Sequence, residues 1–208
     1  MKRTGGRADG RTAISRREAV GLVTLATLTT AFRWTPLDAE RAASLARAAR
    51  TQGAYQPKFF TAHEWGTVRV LVDMVIPHDE RSGSATEAGV PEFMDFMMIE
   101  RPDGQLPMRG GLAWLDAECQ ERWAKTFLLA ADGERASVLD DIAWPRRARP
   151  ELSHGVAFFT MFRDLTASGF WTSKIGIADL EYRGNEFVRE WTGCPDAALR
   201  KLDVHYED

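Results

Sequence analysis

The stretch "FFTAHEWGTVRVLVDMVIP", residues 59 to 77, constrains the fold more than any other part of the chain, because it specifies a helix from both ends. Thr61 and Glu64 have the spacing of a capping box, and Phe60 and Trp65 flank the start at the spacing of a hydrophobic staple, so entry and first turn are set by neighbouring residues alone. Trp65, Val68, Leu71, Val72, Val75 and Ile76 then recur on one helical face. Pro77 disfavours helical backbone at the residue before it and stops the run.

The rest of the body repeats this period. Residues 77–90 have the Gly, Ser and charge content of a loop, after which Pro91 suits a first helical position and Phe93, Phe96, Met97 and Ile99 line one side. "RPDGQLPMRGG" reads as a break. Leu112, Leu115, Cys119 and Trp123 then make a second long face, and Asp132-Gly133 interrupts before Val138, Leu139, Ile142 and Trp144. The basic, proline-bounded "PRRARP" predicts a loop. "SHGVAFFTMFRDLTASG" predicts a helix carrying Val156, Phe158, Phe159, Phe162 and Leu165, closed at Gly169 as a left-handed cap. No segment alternates with period two. The expectation is an all-α domain of about five helices, followed from Phe170 by a long, irregular, aromatic-rich tail.

Ahead of the body lies "ISRREAVGLVTLATLTTAF", residues 14 to 32. The apolar run from Ala19 to Phe32 is diluted by Thr24, Thr27, Thr29 and Thr30, and a membrane-spanning helix needs roughly 20 mostly apolar residues. A basic stretch, a short apolar segment and small residues are the parts of an export signal. Ser15, Arg16 and Arg17 have the form of the twin-arginine pattern, although Ala19 and Val20 are less bulky than is usual there. The organisation expected is a twin-arginine signal over 1–34, a linker over 35–57 and a helical domain over 58–208. An ordinary secretory leader or an N-terminal anchor is the alternative. The linker reading, which allows partly helical backbone, rests on an Ala- and Arg-rich composition with no sustained apolar face, and it makes Ala46 to Ala49 a candidate region for signal cleavage.

Residues 1 to 33 hold seven of the 27 basic residues and two of the 30 acidic ones, so the remainder carries a formal charge of −8. Nucleic-acid binding requires clustered cations to neutralise phosphates, and that balance argues against it. Seven Trp and eleven Phe serve either a core or the anchors of an interface, and composition does not separate the two. Cys119 and Cys194 pair with each other, bridge to a partner or stay free; their separation of 75 residues excludes a metal-knuckle spacing.

Chemical landmarks are few. Of His63, His78, His154 and His205, none has the helical spacing of a metal site apart from His78 in "HDE", where three consecutive side chains diverge. His63 reads as exposed in a capped turn, and His154 as a donor to a nearby carbonyl. Asp140 and Asp141 diverge by about 100° on a helix and read as solvated surface. No phosphate-cradling glycine loop, nucleophile elbow or Cys-x-x-Cys pair occurs. No catalytic, cofactor-binding or metal residue is assigned.

Several motifs in order resemble the gluconate 2-dehydrogenase subunit 3 family. These are "FFTAHEWGTVRVLVDMVIPHDERSGSATEAGVPEFMDFMM", then "FFTMFRDLTASGFWTS" and "YRGNEFVREWTGCP", covering about residues 58 to 204 together with the leader. The Ala/Arg segment and the weak twin-arginine consensus depart from that pattern. The resemblance implies a non-catalytic small subunit of a periplasmic, membrane-associated, FAD-dependent sugar, polyol or sugar-acid dehydrogenase. It implies a large flavoprotein partner of the glucose-methanol-choline oxidoreductase class, often with a cytochrome c subunit, and a leader that exports the partner as a folded passenger. Such a grip calls for buried aromatic anchors, and Phe170, Trp171, Tyr182, Phe187 and Trp191 are the candidates, the alternative being that these tail aromatics close the domain's own core, with Trp65 and Phe93 assigned to the core. Cys194 in "TGCP" is a candidate bridge to the partner or to Cys119. The rival readings are a stand-alone enzyme using His63 and His78 for proton transfer, and a free-standing envelope scaffold held by an uncleaved leader.

Overall fold

The structure is a computed structural model that describes residues 33–51, 55–181, 189–190 and 193–206. Among these residues every regular element is helical: α1 (Pro36–Arg50), α2 (Ala62–Val75), α3 (Ala85–Ala88), α4 (Val90–Glu100), α5 (Gln105–Trp123), α6 (Asp132–Ala143), α7 (Ser153–Trp171), α8 (Lys174–Asp179) and α9 (Asp196–Leu202). The all-α expectation holds. Among the described residues there are four more helices than the five expected: α3, α8 and α9 are too short to show a periodic face, and α1 lies in the expected linker.

Local chemistry sets several starts. At α2 the Thr61 hydroxyl accepts from Glu64 N, Glu64 Oε2 accepts from Thr61 N at 2.8 Å, and the Phe60 and Trp65 rings meet at 6.4 Å. Thr35 with Asp38 caps α1 and Ser84 with Glu87 caps α3 in the same way. At α6 half of such a box remains, Glu134 Oε2 accepting from Ala131 N at 2.7 Å.

The expected linker is corrected over residues 36–50. They form α1, which packs on α4 and α7 through the buried Ala39, Ala42, Ala43 and Ala46. A face made only of alanine is weakly hydrophobic, so it leaves little periodic signal; the gain comes from close approach. Trp34 Nε1 donates to Ser168 Oγ at 3.2 Å, and Arg101 pairs with Asp38 at 2.9 Å, fastening the segment at its start. Cleavage near Ala46 would cut this packed helix.

The break expected at 101–111 is shorter than predicted. After a 3-10 turn at Pro102–Gly104, α5 begins at Gln105 and runs through Pro107, Gly110 and Gly111. Pro107 lies in the first turn, where its missing N–H costs nothing. Gly111 is required by packing: a Cβ there would lie 1.8 Å from Phe158 Cδ2 on α7. Reciprocally, a Cβ on Gly155 of α7 would lie 2.4 Å from Trp114 Cη2 on α5. Each helix thus offers a glycine socket to the other's aromatic ring, at matching i, i+3 spacing. Phe162, Leu165, Leu112 and Leu115 extend the seam, and α6 closes it with Val138, Leu139 and Ile142.

Helix α4 is buried almost throughout and includes Asp95, which is 0% exposed. That carboxylate accepts from the Tyr55 hydroxyl at 2.6 Å and from the N–H groups of Lys58, Phe59 and Phe60 at 2.8, 3.0 and 3.1 Å. It thereby organises the "FF" entry to α2. Burial, and then the hydrogen bond to Asp95, push the Tyr55 hydroxyl far above its ordinary pKa.

Two expectations at the end of α7 are also corrected. Gly169 is not a left-handed cap, because the helix continues to Trp171; Gly169 instead admits the Phe93 ring, whose Cδ1 would be 2.7 Å from an added Cβ. Phe170 is 1% exposed and belongs to this chain's own core. Among the described residues no helix is long and apolar enough to cross a membrane.

Candidate partner-binding surface

Where α7 ends, the chain turns from a packed interior to a surface rich in uncovered apolar groups. Trp171 stands edge-on to Phe170 at 4.9 Å between centroids and is 39% exposed, so one residue of the expected pair is an interior support and the other faces outward. Ser173 caps α8 by accepting from Gly176 N at 3.0 Å. Gly176 lets this helix fold back tightly, since a Cβ there would meet the Phe170 carbonyl oxygen at 2.1 Å. Arg81 donates to the Asp179 carbonyl at 2.9 Å and fixes the far end of α8. The result presents Ile177 and Leu180, three residues apart, at 41% and 54% exposure.

Helix α9 is the more unusual element, because none of its residues is buried. Leu202, Val204 and Tyr206 are all exposed, and Cys194 N donates to the Tyr206 hydroxyl at 2.7 Å, so this end is organised around itself rather than against the body. The sequence reading treated this region as loop chemistry and missed Leu202, Val204 and Tyr206; the signal available was "PDAALRKL", with proline and aspartate in a helix start. Tyr182, Phe187 and Trp191 lie outside the described residues, as do Ser15, Arg16 and Arg17.

The cysteines are separate and free: Cys119 is buried in α5 and Cys194 is exposed. The disulfide between them is therefore corrected. Burial pushes the Cys119 thiol up to about 11.

The histidines do not converge. His63 Nε2 lies 2.6 Å from Asp116 Oδ2, while the other oxygen of Asp116 accepts from Phe127 N at 2.9 Å, so the pair braces α2, α5 and the Phe127–Leu129 turn. His78 Nδ1 meets Glu87 at 2.9 Å beyond the opposite end of α2, roughly 20 Å along the helix at 1.5 Å per residue. His78 is raised by that hydrogen bond and Glu87 is lowered by it. His154 Nδ1 is buried and, among the described residues, lacks the partner expected for it. Among the described residues no group of three His, Cys, Asp or Glu side chains is placed to hold a metal ion.

Comparison with known proteins gives one positive finding. The family model for gluconate 2-dehydrogenase subunit 3 matches residues 62–189, more than half of the chain, from the start of α2 to beyond α8. No curated protein and no solved structure gives a significant match. With the capped α2, the Gly-Val-Pro entry to α4 and the α7–α8 corner all inside the matched span, the chain belongs to the gluconate 2-dehydrogenase subunit 3 family.

Proposed function

We propose that this chain is the non-catalytic small subunit of a periplasmic FAD-dependent dehydrogenase acting on a sugar, polyol or sugar acid. It binds and stabilises a large flavoprotein subunit of the glucose-methanol-choline class and accompanies it through twin-arginine export. The observation that carries this reading is the family match over residues 62–189, since a third subunit of a dehydrogenase has other subunits to hold. Two features of the molecule support it. The exposed apolar groups at Trp171, Ile177, Leu180 and Leu202 have the composition of an interface centre. The polar clusters around His63 and His78 brace helices and do not meet at a common point.

In this reading the flavin is carried by the partner, as membership of a subunit-3 family within a dehydrogenase complex suggests. In this reading the complex works on the periplasmic side, at the membrane surface. A twin-arginine leader suits this role, for it carries folded cargo and so permits flavin loading before transport.

Co-expression with a large flavoprotein subunit of that class from the same genome tests the reading. The pair is expected to co-purify with a flavin spectrum and dye-linked dehydrogenase activity, and Trp171→Ala to weaken the pair while leaving this chain folded. Carbohydrate oxidation by this chain alone, at an ordinary enzymatic rate, would overturn it. Replacing Arg16 and Arg17 with Lys is expected to hold both subunits in the cytoplasm.

A further inference from the structure

Helix α1, the segment without an evident apolar face, forms one wall of a cleft, a space of about 360 Å³ between α1, the α3–α4 corner and the start of α8. That volume lies in the range of small-molecule sites. Its inner surface is apolar, with Ala43 and Ala46 on one side and Phe93 at the base. Its rim is cationic. Arg47 and Arg50, three apart and so on one face of α1, lie across from Lys174 on α8.

Charge makes this arrangement notable. Beyond residue 33 the chain carries −8, yet three cations surround this cleft and one carboxylate, Glu87, lines it. Glu87 is already engaged, by His78 Nδ1 at 2.9 Å and Ser84 N at 2.6 Å. Arg47 donates to the Thr172 carbonyl at 3.2 Å, and neither Arg50 nor Lys174 has a carboxylate partner among the described residues. Gly89, at φ +86°, keeps the corner clear for Arg50, whose Nη1 would be 2.7 Å from an added Cβ. Three cations, two from α1 and one from α8, thus line one cleft without a carboxylate partner among the described residues, a charge arrangement that a bound anion complements.

We propose that this cleft binds a small organic anion, its carboxylate or other oxyanion head between Arg47, Arg50 and Lys174 and its apolar body against Ala43, Ala46 and Phe93. The site does not depend on the partner-binding reading, because it is complete within this chain.

Octanoate is a suitable probe, with 1-octanol as its neutral counterpart and inorganic phosphate as the head without the body. Titrated into the full chain by calorimetry or NMR, octanoate is expected to saturate with a Kd on the order of 1 mM or tighter. Octanol and phosphate are each expected to bind at least about tenfold more weakly, as is octanoate to an Arg47→Gln/Arg50→Gln double variant with an unchanged melting curve. Octanol or phosphate binding as well as octanoate overturns the proposal, as does undiminished binding by the double variant or no saturable binding to the wild type. Should the double variant fail to fold, Lys174→Gln carries the same test, because its side chain is on the exposed rim and supports no packing; undiminished octanoate binding there overturns the proposal.

Discussion

The α5–α7 seam and the C-terminal segment around α9 are both helical and both rich in large side chains, yet they dispose of them in opposite ways. In the seam, Phe158 and Trp114 each enter a glycine socket on the facing helix, and Cys119, Leu115 and Phe162 are sealed at 0% exposure. In the C-terminal segment, Leu202 and Tyr206 are 70% and 59% exposed and α9 buries nothing. Packing to interior density leaves little room for change, whereas an uncovered apolar element has its stabilisation still to gain. The contrast separates what holds this chain together from what is free to hold another.

The largest expected effect tests the first half of that contrast. Gly111→Val places its Cβ 1.8 Å from Phe158 Cδ2, an overlap that helix propensity cannot offset. A loss of about 3 kcal/mol is expected, which lowers the melting temperature of a chain this size by about 10 °C. If urea or thermal denaturation shows Gly111→Val as stable as wild type, the socket is not a constraint.

Next in size is Asp95→Asn. The carboxylate accepts four hydrogen bonds from the 55–60 segment, and an amide offers one oxygen while turning an N–H₂ towards those donors. The expected cost is about 2 kcal/mol. Hydrogen exchange sharpens the result, because protection at Lys58, Phe59 and Phe60 falls while that of α5 and α7 holds.

These two residues also show what the sequence could and could not reveal. The Thr61–Glu64 box and the Phe60–Trp65 staple were legible because partner and spacing lie within one turn. Gly111 and Asp95 were not, since their meaning lies in contacts 47 and about 36 residues away, and a glycine beside Gly110 reads first as a breaker. Gly169 misled for the same reason: its lack of a side chain serves Phe93, not a helix end, and the error carried Phe170 out of the core. Helix α1 was hidden by composition, as an alanine face differs little from an alanine-rich linker. On the candidate surface, Trp171 was legible as an aromatic beyond the periodic run, whereas Leu202 and Tyr206 lie in a helix of seven residues, too short to declare a face.

The other half of the contrast predicts a dissociated response. Leu202→Glu changes a side chain that is 70% exposed, so the free chain's stability should move by no more than about 0.5 kcal/mol. Association with the proposed flavoprotein partner, if α9 contributes an anchor, should weaken by about 2 kcal/mol, roughly thirtyfold. A measurement of both on one protein is decisive: unfolding of the free chain by Leu202→Glu, or unchanged affinity for the partner, would remove α9 from the proposed interface.

The smallest expected effect on stability comes from thiol chemistry, which reads both regions in one experiment. Alkylation requires the thiolate, and burial holds Cys119 at about 11, so at neutral pH it is both protonated and out of reach. Cys194 is exposed. Iodoacetamide at pH 8 is therefore expected to modify Cys194 with no change in melting temperature, and to reach Cys119 only after denaturation. Because the buried thiol ionises only in the open chain below pH 11, alkalinisation through the ordinary thiol range favours unfolding. That loss is expected to disappear in Cys119→Ser once its own packing cost is subtracted. Modification of both thiols in the folded chain would mean that the seam opens; modification of neither would mean that the C-terminal segment is covered. Binding of the proposed flavoprotein partner supplies the last comparison, since an interface that includes α9 should slow alkylation of Cys194 and leave Cys119 as it was.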